Sequence, residues 1–232
     1  MKKIRTYLGV LLICLSCEEH IPTTQHLSAI IDLTDLQNNP PSTSDVLNYV
    51  FKGHPSDGLE INLRYVSETR YTPKYRFVLQ ESEVGWLSNE DLQRRKRKKL
   101  LQQFTDTLKG NQLLESKRSE IFRLVCEELT SLSKKQGSRR LILFSDLKEH
   151  SFFSIYQKKD MAKLLYDADA VKRQFLSKVN LPEDLSGIEL HIIYNPNLEE
   201  DTVFTAMIGL YREILECRGV ELFISNEKKV ML

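Results

Sequence analysis

The sequence predicts an α/β fold: a mostly parallel sheet with helices on both faces and one antiparallel strand at an edge. Three observations carry this expectation. Leu27-Ser28-Ala29-Ile30-Ile31-Asp32 and Leu141-Ile142-Leu143-Phe144 are short apolar runs rich in Ile and Leu, the composition of strands buried on both faces. Each run ends in oxygen-bearing side chains, Asp32, Thr34 and Asp35 after the first and Ser145-Asp146 after the second. Between and beyond them, strand-like runs alternate with apolar stripes at helical spacing, the order that builds parallel sheets. In open sheets of this kind, ligands bind just past the carboxyl ends of the strands. Asp32 and Asp146 therefore stand where such a fold places its chemistry.

The 232 residues accommodate one domain of ordinary α/β size plus a terminal appendage. A hydrophobic content of 41% is enough for a sizeable core. With 33 Lys+Arg against 32 Asp+Glu, the net charge of +1 gives no reason to expect a nucleic-acid partner.

The first residues stand apart from the fold. Lys2, Lys3 and Arg5 precede an apolar stretch from Tyr7 to Leu15 that is too short to span a bilayer. The stretch ends in Leu15-Ser16-Cys17, followed by Glu18-Glu19. Small or apolar residues before a Cys at the end of such a segment resemble the lipobox of bacterial lipoproteins, although Cys14 departs from the usual Leu. The resemblance implies cleavage after residue 16, lipidation (palmitate) of Cys17, and a place in the cell envelope, on the outer membrane or its periplasmic face. An ordinary secretory signal or an uncleaved anchor is the plainer alternative. Loss of Lys2, Lys3 and Arg5 takes the net charge from +1 to −2. Residues 1–16 are thus read as signal, 17–25 as lipidated Cys and tether, 26–225 as the domain, and 226–232 as a basic tail. Cys126 and Cys217 are the other two cysteines; export permits a disulfide, but two buried thiols on separate helices is the simpler reading. No Cys/His spacing suggests zinc.

The elements follow in order. The first strand ends at Asp32. Asn38-Asn39-Pro40-Pro41 marks a loop, after which Thr43 or Ser44 can cap a short helix through Val46, Leu47, Val50 and Phe51. Residues 59–66 and 75–79 alternate apolar and polar, as in an edge hairpin with one wetter face. Ser88-Asn89 opens a long helix with Leu92, Leu100, Leu101, Phe104 and Leu108 on one stripe, ending at Gly110. Within it lies Arg94-Arg95-Lys96-Arg97-Lys98-Lys99, read as a solvated face because no aromatic residues interleave with the charges. With a lipid anchor, a membrane surface is the better functional option for these cations. Residues 116–135 form the next helix, around Ile121, Leu124, Val125, Leu129 and Leu132. The strand of residues 140–146 follows, then a mostly helical stretch over 152–180, a strand over 188–194, a helix over 202–218 and a last strand over 220–224. His150 reads as a surface residue, and the lone Trp86 as packing beneath the long helix or as an exposed contact.

This order of elements, with two local motifs, resembles a von Willebrand factor A (VWA) domain. Such a domain is a Rossmann-like three-layer sandwich that binds Mg²⁺ or a similar cation at the sheet edge. Asp32 and Thr34 match the first two places of its opening Asp-x-Ser-x-Ser motif. The third place is Leu36, which cannot ligate, and the neighbouring Asp35 is the substitute donor. Phe144-Ser145-Asp146-Leu147 matches the later Asp motif, and Ser119, with Ser116 second, takes the Thr position. The resemblance thus implies a Mg²⁺ or Mn²⁺ site of Asp32, Thr34, Asp35, Ser119 and Asp146, open to an acidic group of a protein partner. Carboxylates and hydroxyls are the hard oxygen ligands such a cation takes. The plainer alternative is a degenerate site in which Asp32 and Asp146 cap turns.

Three functions are compatible with these residues. The first is a lipid-anchored interaction module that binds a partner carboxylate through the cation. The second is a metal-free scaffold of an envelope or secretion assembly. The third is a metal-dependent hydrolase using Asp32 and Asp35. No enzyme is expected, since the chain has no nucleophile elbow, phosphate-cradling glycine loop or acid/base His at a recognisable spacing.

Overall fold

The computed structural model describes residues 20–33, 41–50, 53–66, 73–82, 90–110, 119–194 and 201–225. Six strands form one sheet: β1 (Thr24–Asp32), β2 (Gly58–Val66), β3 (Lys74–Leu79), β4 (Ser138–Phe144), β5 (Ile188–Ile193) and β6 (Glu221–Ser225). Their order is β3-β2-β1-β4-β5-β6. Every pairing is parallel except β2 with β3, which is antiparallel. The helices are α1 (Thr43–Leu47), α2 (Glu90–Gly110), α3 (Ile121–Leu132), α4 (Lys158–Tyr166), α5 (Ala168–Leu176) and α6 (Asp201–Leu215). The α/β class, with its antiparallel edge pair, is the one the sequence predicts.

The alternation of side chains along each strand makes two cores, one on each face of the sheet. On one face Ile30, Leu141, Leu143, Leu190 and Ile192 pack beneath α3, α5 and α6. Phe122 sits at the middle of this layer, edge-on to Phe175 and Tyr211. On the other face Ala29, Ile31, Ile61, Leu63 and Phe144 meet Val46 of α1 and Leu100, Phe104 and Leu108 of α2. Burying each such apolar side chain contributes roughly 1.5–3 kcal/mol, and β1, with helices on both sides, has eight of its nine residues buried.

Several elements differ from expectation for identifiable reasons. β1 starts at Thr24, inside the stretch read as tether, because the Thr23 carbonyl already accepts the Gly58 N–H at 3.1 Å. Ser42, rather than Thr43 or Ser44, caps α1, through a reciprocal pair of bonds with Asp45. The polar face of β2 is not wet: Glu60, Asn62 and Arg64 are all buried, and ion pairs neutralise Glu60 and Arg64. Leu92 lies outside the apolar stripe of α2 and is 46% exposed. The stretch 152–180 is two helices parted at Asp167, whose side chain caps α5 by accepting the Ala170 N–H. Cys126 is a buried free thiol, but Cys217 is exposed on the turn after α6, so the pair of buried thiols is half right. Phe51, Trp86, Ser116 and the lipidation residue Cys17 lie outside the described residues.

The long axis of the sheet has two distinct ends. At the amino-terminal end of the strands, here the base, Asp57 gathers the chain: its carboxylate accepts His20 Nε2 at 2.7 Å, the Thr23 N–H at 3.1 Å and the His54 N–H at 2.7 Å. The helix α2 climbs from this base, where Gln93 bonds the Gln80 carbonyl, toward the opposite edge, where Tyr65 reaches the Leu108 carbonyl. That opposite edge carries Asp32, Ser145 and Asp146.

Candidate functional site at the carboxyl edge of the sheet

β1 and β4 are hydrogen-bonded neighbours, and Ile31 faces Phe144 in their register. The next residues along each strand, Asp32 and Ser145, therefore emerge side by side at the edge. Ser145 Oγ donates to Asp32 Oδ2 at 2.9 Å and accepts the Leu147 N–H at 2.9 Å. One hydroxyl thus joins the ends of two strands 113 residues apart in sequence. Asp32 is completely buried and Asp146 is 2% exposed.

Beyond Asp146 the chain turns sharply. Leu147 has φ of +61°, a left-handed backbone that disfavours a branched side chain by about 1–2 kcal/mol. The complete burial of its side chain in the core offsets that cost. The turn directs the next residue back over the edge. The backbone N–H of Lys148 donates to Asp146 Oδ1 at 2.8 Å, and its ammonium lies 2.8 Å from Asp146 Oδ2. That second contact is Coulombic, since Oδ2 receives no directional hydrogen bond.

Ser119 is brought to the same region by an antiparallel bridge. Its N–H donates to the His150 carbonyl at 3.3 Å, and the His150 N–H returns to the Ser119 carbonyl at 3.0 Å. His150 is therefore part of the frame beside Ser119 and is half-buried; its Nδ1 lies 2.9 Å from Ser154 Oγ. Thr34 and Asp35 lie outside the described residues, as does Leu36.

Beneath this frame sits Glu149, which sequence reasoning passed over. It is fully buried, accepts the Phe122 N–H at 3.0 Å and pairs with the Ser151 hydroxyl, so it closes the amino terminus of α3. Burial pushes its carboxyl up to about 8, more than these two bonds can draw it down. The Tyr211 hydroxyl is also buried, with no hydrogen-bond partner among the described residues. Desolvation raises its pKa well above the usual phenol value, and the charges of Glu149 and Asp32 act in the same direction.

The arrangement can do two things chemically. Asp32, Asp146, Ser119 and Ser145 are hard oxygen donors suited to Mg²⁺ or Mn²⁺. Yet Lys148 already supplies a positive charge to Asp146, so these residues fit a divalent cation only with the ammonium displaced. Among the described residues, no three or more His, Cys, Asp or Glu side chains group for a metal ion. A hollow of about 560 Å³ lies elsewhere, between β3 and α2; the buried carboxylates, rather than concavity, mark the sheet edge as the candidate site. Lys148 and Glu149 were hidden in the run Asp146-Leu147-Lys148-Glu149-His150, which reads as an ordinary charged loop. The one available signal was a cation two residues past the motif's Asp.

No protein-family model matches this chain, and no curated protein matches its sequence. Among the described residues, no helix is long and apolar enough to cross a membrane.

Proposed function

We propose that the protein is a VWA-like interaction module, lipid-anchored in the bacterial cell envelope through Cys17, that offers the carboxyl edge of its sheet to an acidic group of a protein partner. The observation that carries this reading is the Ser145–Asp32 hydrogen bond, which joins the two motif ends on adjacent parallel strands. In its cation-dependent form, Mg²⁺ or Mn²⁺ is held by Asp32, Thr34, Asp35, Ser119 and Asp146 and keeps an open position for the partner. The Lys148–Asp146 ion pair favours a second reading, a metal-free scaffold in which the chain's own ammonium balances the carboxylate. A hydrolase built on Asp32 and Asp35 would need turnover of phosphoesters or peptides to support it.

Thermal unfolding of the intact lipoprotein separates the two readings, because a ligand bound only to the folded state raises its stability by mass action. Under the first, millimolar Mg²⁺ or Mn²⁺ raises Tm relative to chelator, and Asp32→Ala removes the rise. Under the second, metal leaves the Tm of the native chain unmoved. Lys148→Met, which frees Asp146, then creates a metal-dependent rise. A mass for Cys17 without acyl chains would remove the anchor.

A further inference from the structure

We propose that the base of the domain is a membrane-contact surface, at which the cations of α2 take anionic phospholipid headgroups. The proposal draws its orientation from the lipid-anchor reading above and its chemistry from the structure.

The base is tied to the chain's amino-terminal segment. His20 Nε2 lies 2.7 Å from Asp57 Oδ1, and the carbonyl of the same Asp57 accepts a bond from Arg97 at 3.1 Å. One loop residue thus couples the start of the described chain to the middle of the run Arg94-Arg95-Lys96-Arg97-Lys98-Lys99. Cys17 precedes His20 by three residues, a span of at most about 11 Å. An acyl chain on Cys17 therefore keeps this rim close to the bilayer.

The composition of the rim suits that contact. Arg94, Arg95, Lys96, Lys98 and Lys99 are exposed, and the nearest counter-charge to Arg94 is Glu90, 3.6 Å away in a solvent-exposed pair. Two apolar side chains stand out among them, Ile21 at 79% and Leu92 at 46% exposure. Cations mixed with exposed aliphatic groups match a lipid interface, where the charges meet phosphates and the aliphatic groups enter the acyl boundary. A hollow of about 360 Å³ lies on this helix, lined by Arg94, Arg97, Lys98, Leu101, Gln102 and Thr105. None of these is aromatic, so the hollow offers a base no stacking platform, and a phosphate headgroup is the better fit than nucleic acid. Each cation brought to an anionic surface strengthens partitioning by roughly fivefold, and salt screens the effect.

The test places an environment-sensitive fluorophore on Leu92→Cys in a Cys217→Ser background, since Cys126 is buried and unreactive. The full lipidated chain is reconstituted in vesicles of phosphatidylcholine, with or without a third of phosphatidylglycerol, carrying a headgroup quencher. The expected result is quenching several-fold stronger with phosphatidylglycerol, largely reversed by about 0.5 M NaCl. It should be lost in the Arg94→Gln, Arg95→Gln, Lys98→Gln, Lys99→Gln variant, whose changes are all on exposed side chains. Equal quenching in the two vesicle types, or in the variant and its parent, overturns the proposal. So does binding of an oligonucleotide at physiological salt without lipid-dependent quenching, which would assign the cations to nucleic acid. The acyl mass at Cys17 is read on the same sample. An unmodified Cys17 refutes the anchor. The quenching is then read with Cys14→Ser and Cys17→Ser added, so that only position 92 is labelled. Phosphatidylglycerol dependence there upholds the cationic surface while its absence overturns it, so the two failures are distinguishable.

Discussion

Glu149 shows how one buried group can set a pH response. Its carboxyl closes the amino terminus of α3, where a negative charge would be favoured, but complete desolvation outweighs that and raises the pKa to about 8. The folded state therefore holds the proton more tightly than the unfolded chain does. The stability linked to Glu149 is fully present below its ordinary value of 4.5 and is lost as pH rises toward about 8. Between those limits the slope is at most about 1.4 kcal/mol per pH unit. Glu149→Gln keeps an acceptor for the Phe122 N–H and cannot ionise. Urea unfolding at pH 5 and pH 8 should show this fall in the native chain and not in the variant; equal slopes in both would rule out Glu149 as its source. At this scale the sequence was informative about Asp32 and Asp146, because each ends an apolar strand. It was silent about Glu149, because nothing local distinguishes a carboxyl that will be buried beneath α3 from one left in a loop.

Among the elements, β2 and α3 are joined by charge as much as by apolar packing. Glu128 of α3, 1% exposed, accepts from Ser28 at 2.9 Å, Arg64 at 3.1 Å and Lys74 at 2.8 Å. Glu60 of β2 collects Arg76 at 2.7 Å and Lys135 at 2.9 Å, with His26 Nδ1 at 3.1 Å. Removing one partner of a buried pair leaves the other charge without compensation. Glu128→Ala should cost about 3 kcal/mol in urea unfolding, toward the low end because Glu127 still holds Arg64. Replacing both Glu128 and Arg64 with Met should restore most of that loss; a double variant no more stable than Glu128→Ala would show that the charges themselves hold these elements together. Strand and helix positions were legible from periodicity, since the apolar residues of α3 and β4 fall where their spacing puts them. The wet face assigned to β2 was wrong for a tertiary reason: Lys74, Arg76 and Lys135 come from other elements, and no local pattern announces them.

For the molecule as a whole, the parallel direction of β1, β2, β4, β5 and β6 puts Asp32, Ser145 and Asp146 at one edge of the sheet, and the chain's entry, with Asp57 and the basic stretch of α2, at the other. The class of fold was readable because alternating strands and helices admit few arrangements. The candidate site was readable only in part, because its frame comes from bridges such as Ser119 to His150, made between segments far apart in sequence. Acid sensitivity also belongs to this scale. Burial alone would raise Glu60, yet Lys135 and Arg76 hold it down at about 2. The stability it contributes is present above 4.5 and lost as pH falls toward about 2. Glu60→Gln should therefore flatten the acid limb of a stability–pH curve and leave the Glu149-dependent limb unchanged.

β1 also fixes a height. Its nine residues run from the base, where His20 docks on Asp57, to the rim that carries Asp32, a rise of about 25–30 Å. On the proposed reading, a chain fastened at Cys17 would hold the rim that carries Asp32 at that stand-off from the lipid, facing outward. A partner could then engage it without itself touching the bilayer, provided its own acidic group lies in a layer of that thickness.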